Sequence, residues 1–179
     1  MKFGKLSVTF LAAAAIGLFA FNHFSTSEPG EPLKGAEELA ALPDEQLEGA
    51  VLTELGRDAY REGAAPDAWR KMNATARHLW SVSAIKDIDP VAGLADWLAS
   101  IAQGGTTAPG PEDMAAGLEA MRLTEAHQVM MDIIAKRDSG DKALMNNLHG
   151  RLLKALGEPA ARSTRRAWVR ENLTALLER

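Results

Sequence analysis

Residues 43–62 read PDEQLEGAVLTELGRDAYRE. Leu47, Val51, Leu52, Leu55 and Ala59 recur at three- and four-residue intervals, the spacing that places side chains on one face of an α-helix. Pro43 suits the first helical position, where its missing N–H would be unpaired in any case, and Gly63 suits the stop. The rest of the surface carries Asp44, Glu45, Glu48, Glu54, Asp58 and Glu62. A helix divided in this way must bury its apolar stripe against other elements.

The same period continues along the chain. A second helix is predicted from about Pro66 to Lys86, with Trp69, Met72, Ala76, Leu79, Trp80 and Ser83 on one stripe. Asp89 reads as an N-cap before Pro90, ahead of Val91, Leu94, Trp97, Leu98 and Ile101, with Gly104 and Gly105 as the stop. After the loop at 106–111, Met114, Leu118 and Met121 mark a short helix. Thr124 is placed to cap the next, which carries Val129, Met130, Ile133 and Ile134 and is broken by Ser139-Gly140. Leu144, Leu148, Leu152, Leu153 and Leu156 define another, stopped by Gly157 and Pro159, and Trp168, Val169, Leu173, Leu176 and Leu177 lie on the last. No run of β-branched residues alternates with period two, so no strand is expected. The expected fold is all-α: a compact bundle of about seven helices following an N-terminal apolar export or anchor helix.

That N-terminal segment has its own signature. Lys2 and Lys5 precede LSVTFLAAAAIGLFAF, residues 6–21, which contain no charge. A basic flank followed by an apolar run is an export signal. Its sixteen residues lie between a secretory core of about 7–15 and a spanning helix of about 20. Ser25-Thr26-Ser27 offers small residues for cleavage, but past the bulky Phe19, Phe21 and Phe24. Residues 1–24 are thus expected to be a signal peptide or a signal anchor. On this reading the remainder is exported, either soluble in the periplasm after cleavage or tethered to the inner membrane through residues 6–24. Residues 25–35, with two Pro and two Gly, read as a linker, and 36–179 as one helical domain.

Charge and composition narrow the chemistry. The net charge is −4, unevenly spread: residues 31–60 hold eight acids against two bases, and residues 151–179 seven bases against three acids. No overall basic footprint invites nucleic acid, so direct nucleic-acid binding is not expected. The absence of cysteine excludes disulfides, thiol catalysis, cysteine metal sites and lipidation of an N-terminal cysteine.

Residues 93–100, GLADWLAS, resemble the core motif of the DNA-mimic-protein-like family, small all-helical bacterial domains mostly of unknown function. That motif has Asn-Gly-Gly-Phe, a Gln two residues on, two aromatics and an Asn. Gly93 matches the second glycine, Leu94 the Phe, and Trp97-Leu98 the aromatic pair. Trp168-Val169-Arg170-Glu171-Asn172 is similar to the family's closing aromatic-Val-Arg-Glu-Asn segment. Ala92, Asp96 and Ser100 replace the first glycine, the glutamine and the asparagine. The resemblance, over most of residues 40–176, implies the fold rather than an activity.

Candidate functional residues are few. Trp97 sits on an apolar stripe and reads first as core. Asp96 precedes it and reads as a solvated carboxylate, or as one member of an assembled site with His127. His78, His127 and His149 stand alone on their helices, outside any His-x-x-x-His, His-Glu-x-x-His or Glu-x-x-His spacing, so no metal site and no cofactor are predicted. There is no Gly-x-Ser-x-Gly elbow, and no lysine follows Gly104-Gly105 as a phosphate loop requires. The acids of residues 44–62 repeat at four-residue steps, about 6 Å apart along the axis, which is near the phosphate spacing of DNA. Arg162, Arg166 and Arg170, beside Arg165, follow at i, i+4 and i+8. Cations near a helix N-terminus oppose its macrodipole by a few tenths, roughly, of a kcal/mol each. Their candidate partners are the acids of 44–62 or anionic lipid headgroups, set against a merely solvated arginine row as the default reading.

The reading that follows is an exported, non-enzymatic helical interaction domain with an unidentified protein partner. Its candidate interaction residues are Asp96, Trp97, Glu54, Asp58, Glu62, Arg162, Arg166 and Arg170. The alternatives are an enzyme or ligand-binding protein with a site assembled near Asp96 and His127, and an acidic mimic of nucleic acid. Polar residues clustered beside Trp97 would favour the enzyme, and a filled core the interaction domain.

Overall fold

The computed structural model of the chain describes residues 33–61, 64–88, 93–104 and 107–178. The export segment, Glu62, Gly63, Gly105 and the predicted cap at Asp89-Pro90 lie outside the described residues. Among the described residues there are nine α-helices and no strand. They are α1 (Ala36–Ala40), α2 (Asp44–Ala59), α3 (Ala74–Ser83), α4 (Gly93–Ala102), α5 (Pro111–Ala120), α6 (Thr124–Lys136), α7 (Lys142–Gly157), α8 (Pro159–Glu171) and α9 (Leu173–Leu176).

Two of the predicted helices are interrupted. The segment expected to run from Pro66 to Lys86 is a short 3₁₀ turn, Ala68–Lys71, followed by α3 and a second 3₁₀ turn, Ala84–Asp87. The break falls at Asn73, which is extended (φ −62°, ψ 165°) and whose side-chain oxygen accepts from the Ala76 N–H as the N-cap of α3. The last helix likewise divides at Asn172 into α8 and α9. Thr124 is the first residue of α6 and makes no capping bond; Leu123 holds the cap position.

The helices pack in a closed circuit. α3 lies against α5, α5 against α6, α6 against α7, α7 against α8, α8 against α2, and α2 against α3. α4 rests on α7, and α9 returns to α3 and α1. Leu79, Met114, Leu118, Met130, Ile133 and Leu148 are fully enclosed at the centre. The closest approach is at Gly117: a Cβ there would lie 2.6 Å from the His78 carbonyl oxygen and 2.8 Å from Val82 Cγ2. Only a glycine lets α3 and α5 meet at this distance. Gly93, which opens α4 at φ +81°, is similarly constrained: a Cβ would sit 2.8 Å from Asn146 Oδ1 on α7.

Asn73 also fastens the C-terminal segment to the start of α3. Its amide donates to the Ala175 and Glu178 carbonyls, both at 2.9 Å. Nearby, Trp69 is buried and its indole N–H donates to the Thr107 carbonyl at 2.6 Å.

Two predictions follow from these contacts. Gly117→Ala should destabilise the fold by about 1–3 kcal/mol, because the clashing atom is backbone and cannot rotate away. Gly150→Ala, on α7 with nothing within 4 Å of the added carbon, should instead stabilise it by about 0.5–1 kcal/mol through helix propensity. Denaturant melts of the two variants test this, and equal shifts would refute the close crossing. Separately, Asn73→Ala should cost about 2–3 kcal/mol from one lost cap and two lost amide hydrogen bonds. Asn73→Ser, which keeps a capping oxygen, should recover about 1 kcal/mol of that.

Candidate functional site

The charged residues singled out in the sequence fall into separate groups. The largest is the seam between α2 and α8. Arg165 Nε donates to Glu48 Oε2 at 2.9 Å, Arg166 Nη1 to Glu45 Oε1 at 3.1 Å, and Arg170 Nε to Asp44 Oδ1 at 2.7 Å. The pairing order, 48 with 165 and 44 with 170, makes the two helices antiparallel. Arg170 reaches further, donating to the Ala40 carbonyl at 2.9 Å and the Leu42 carbonyl at 2.7 Å. One guanidinium thus holds the end of α1, the α1–α2 turn and the start of α2. Arg162, one turn earlier, is exposed and in no ion pair among the described residues.

The partners of these arginines are therefore the first acids of α2, and not Glu54 and Asp58. Glu54 is only 4% exposed. It accepts from Arg57 Nη1 at 3.1 and 3.3 Å and from the Lys34 N–H at 3.1 Å, so it fastens the start of the described chain to α2. A buried carboxylate needs such partners to remain charged at low cost. Asp58 pairs with Arg61 at 2.6 Å. Each of the five acids of α2 is thus held by an arginine. Glu62, the sixth acid of the row, lies outside the described residues.

Asp96 and Trp97, adjacent in sequence, have opposite fates. Asp96 is exposed and pairs with Lys142 Nζ of α7 at 2.9 Å. Trp97 is buried and belongs to the apolar core with Leu94 and Leu98. His127 is half-buried on α6, which packs on α5 and α7 while α4 packs on α7. No hydrogen bond or ion pair joins Asp96 to His127 among the described residues.

His149 has a different character. It lies on α7, 6% exposed, with a buried Nε2 that has no hydrogen-bond partner among the described residues. Burial holds its pKa below the ordinary histidine value, because the charged imidazolium would lose its hydration. His78 is shifted the same way, by burial and then by the adjacent Arg77. Among the described residues no group of three or more His, Asp or Glu is arranged to hold a metal ion. A cavity of about 30 Å³ lies between α2, the start of α3 and the C-terminal segment, lined by Glu54, Asp58, Asn73 and Glu178 among others. It has room for a water molecule, far below the roughly 300 Å³ of a small-molecule site.

Several of these roles were not singled out in the sequence. Asp44, Glu45, Glu48 and Arg165, noted in the charged rows but not counted among the interaction residues, form most of the seam, while Lys142 and Asn73, which act across long separations, carried no signal at all. The arginine spacing pointed to one charged face, but spacing alone does not choose the register of the opposing acids. Comparison with protein-family models, with curated proteins and with solved structures finds no match to this chain.

The His149 environment gives a pH prediction. Its unfolded pKa is about 6.5 and its folded pKa is lower. Above the unfolded value both states are neutral and the group has no effect on stability. As pH falls through that value the unfolded chain takes a proton that the fold refuses, so stability drops until the folded pKa is passed. Denaturant melts between pH 7.5 and 5 should show a smaller acid-side loss in His149→Leu than in the parent chain. Equal losses would mean that His149 protonates as readily in the fold as outside it.

Proposed function

We propose that this chain is an exported, non-enzymatic helical interaction domain, tethered to the inner membrane or released from it, that acts through its surface on a protein partner. The observation that carries the reading is at α4. Trp97 is packed into apolar core with Leu94 and Leu98, and Asp96 is turned outward onto Lys142. A site assembled around that helix would call for polar groups gathered against the tryptophan. The seam supports the same reading: carboxylates and arginines that would be chemical groups in a catalytic site are engaged in joining helices. The nucleic-acid-mimic alternative is weakened by the same pairing, since an acidic row covered by arginines presents little of a phosphate backbone's field.

Export rests on Lys2, Lys5 and the uncharged run 6–21. Among the described residues no helix is long and apolar enough to cross a membrane, so any tether is assigned to residues 6–24. A reporter active only outside the cytoplasm, fused after residue 35, should be active, and deletion of residues 1–24 should silence it. An inactive full fusion, with no change on deletion, would remove the export claim. In the exported form, crosslinkers placed on the helical surface should then give discrete adducts with a partner.

A further inference from the structure

We infer that α8 is a strap: a helix fastened to the domain by charge, able to lift from α2 as ionic strength rises while the rest of the bundle stays folded. In the closed circuit of helices, the α8–α2 joint differs from the others. α8 has thirteen residues and a single buried side chain, Val169; Ala161 and Trp168 are half-buried. α5 and α6, of ten and thirteen residues, bury four side chains each. What α8 lacks in burial it replaces with Arg165, Arg166 and Arg170 on Glu48, Glu45 and Asp44. Two of the three pairs are accessible to solvent, the carboxylates of Glu45 and Asp44 being 68% and 53% exposed, while the Arg165–Glu48 pair is part-buried. Exposed pairs weaken as salt shortens the screening length from about 10 Å at 0.1 M to about 3 Å at 1 M. Arg162, near the start of α8, also opposes its macrodipole, while Arg170 in the last turn favours it, so charge gives the isolated helix no clear gain.

Both ends of α8 are held independently of the seam. Before it, α7 buries Met145, Leu148, Leu152 and Ala155. After it, α9 buries Leu173 and Leu176, and Asn73 grips the Ala175 and Glu178 carbonyls. A segment fixed at both ends and weakly held between them opens locally, without global unfolding. Lifting the strap uncovers the acidic row of α2 and the arginine row of α8 together. The inference does not depend on the proposed interaction function; it names charged rows that such a partner would meet.

The test is amide hydrogen exchange on the purified full chain at 0.05 and 1 M NaCl. Amides of residues 163–171 should exchange ~10-fold faster at high salt, while those of α5 and α6 change by less than ~2-fold. The triple variant Asp44→Asn, Glu45→Gln, Glu48→Gln should exchange rapidly along α8 at both salts. A salt-independent α8 in the parent chain would overturn the strap, as would acceleration of α5 and α6 in step with it. An α8 in the triple variant as protected as in the parent would show that packing, not charge, holds the helix. If the variant does not fold, the salt series on the parent chain decides the matter.

Discussion

The arrangement rests on the contact of α3 with α5. Their backbones approach so closely at Gly117 that a single added carbon would press on the His78 carbonyl and on Val82. Close-packed interiors tolerate no such intrusion without displacement of a whole element. With this pair set, the chain can only continue by short reversals. α5 turns into α6 through Arg122, held at φ +57°, and α6 into α7 through Gly140 at φ +69°. Both are left-handed positions, cheap for the glycine and a local cost for the arginine. α3, α5, α6 and α7 therefore form a continuous layered core, on which the remaining helices are laid.

The charged seam plays a different part. On α2 the acids Asp44 and Glu45 stand in the first helical turn, where the macrodipole favours negative charge, with Glu48 one turn on. The antiparallel register then brings the arginines of α8 to them. The two exposed pairs, at Glu45 and Asp44, contribute about 0–1 kcal/mol each, so they direct α8 more than they stabilise the domain, and the part-buried Arg165–Glu48 pair fixes the register. Glu54 shows the contrast. It is buried, its three short contacts come from Arg57 and the Lys34 N–H, and loss of a partner there would leave a desolvated charge. Acids of one helix thus do unlike work because Glu54 faces inward while Asp44, Glu45 and Glu48 face α8.

Much of the fold was legible because the apolar period is strong. Leu47, Val51 and Leu55 are buried as their spacing implies, and so are Leu94, Trp97 and Leu98. The interruptions were not legible. Trp69, Met72, Ala76 and Leu79 keep to one side through the 3₁₀ turn and into α3, so the period hides the break. What makes the break is Asn73, whose amide partners lie 102 and 105 residues away. The candidate site was legible only in part. Opposite charge on α2 and the last helix pointed to a pairing, but the choice of Asp44, Glu45 and Glu48 over Asp58 depends on which end of α2 lies beside α8. That is a tertiary fact, and no local pattern encodes it.

The same register explains the arginine that is left over. Arg165 meets Glu48, so one turn back along α8, at Arg162, the antiparallel path on α2 has advanced to about Val51 and Leu52. Val51 is buried and Leu52 half-buried, and neither offers a carboxylate. Arg162 therefore shares the spacing of Arg166 and Arg170 without sharing their function in the fold. Arg162 makes no ion pair among the described residues, and the same holds for the exposed Arg151 and Lys154 on α7. A substitution at such residues leaves the helix joints intact, whereas any change at Arg165, Arg166 or Arg170 alters the joint between α2 and α8.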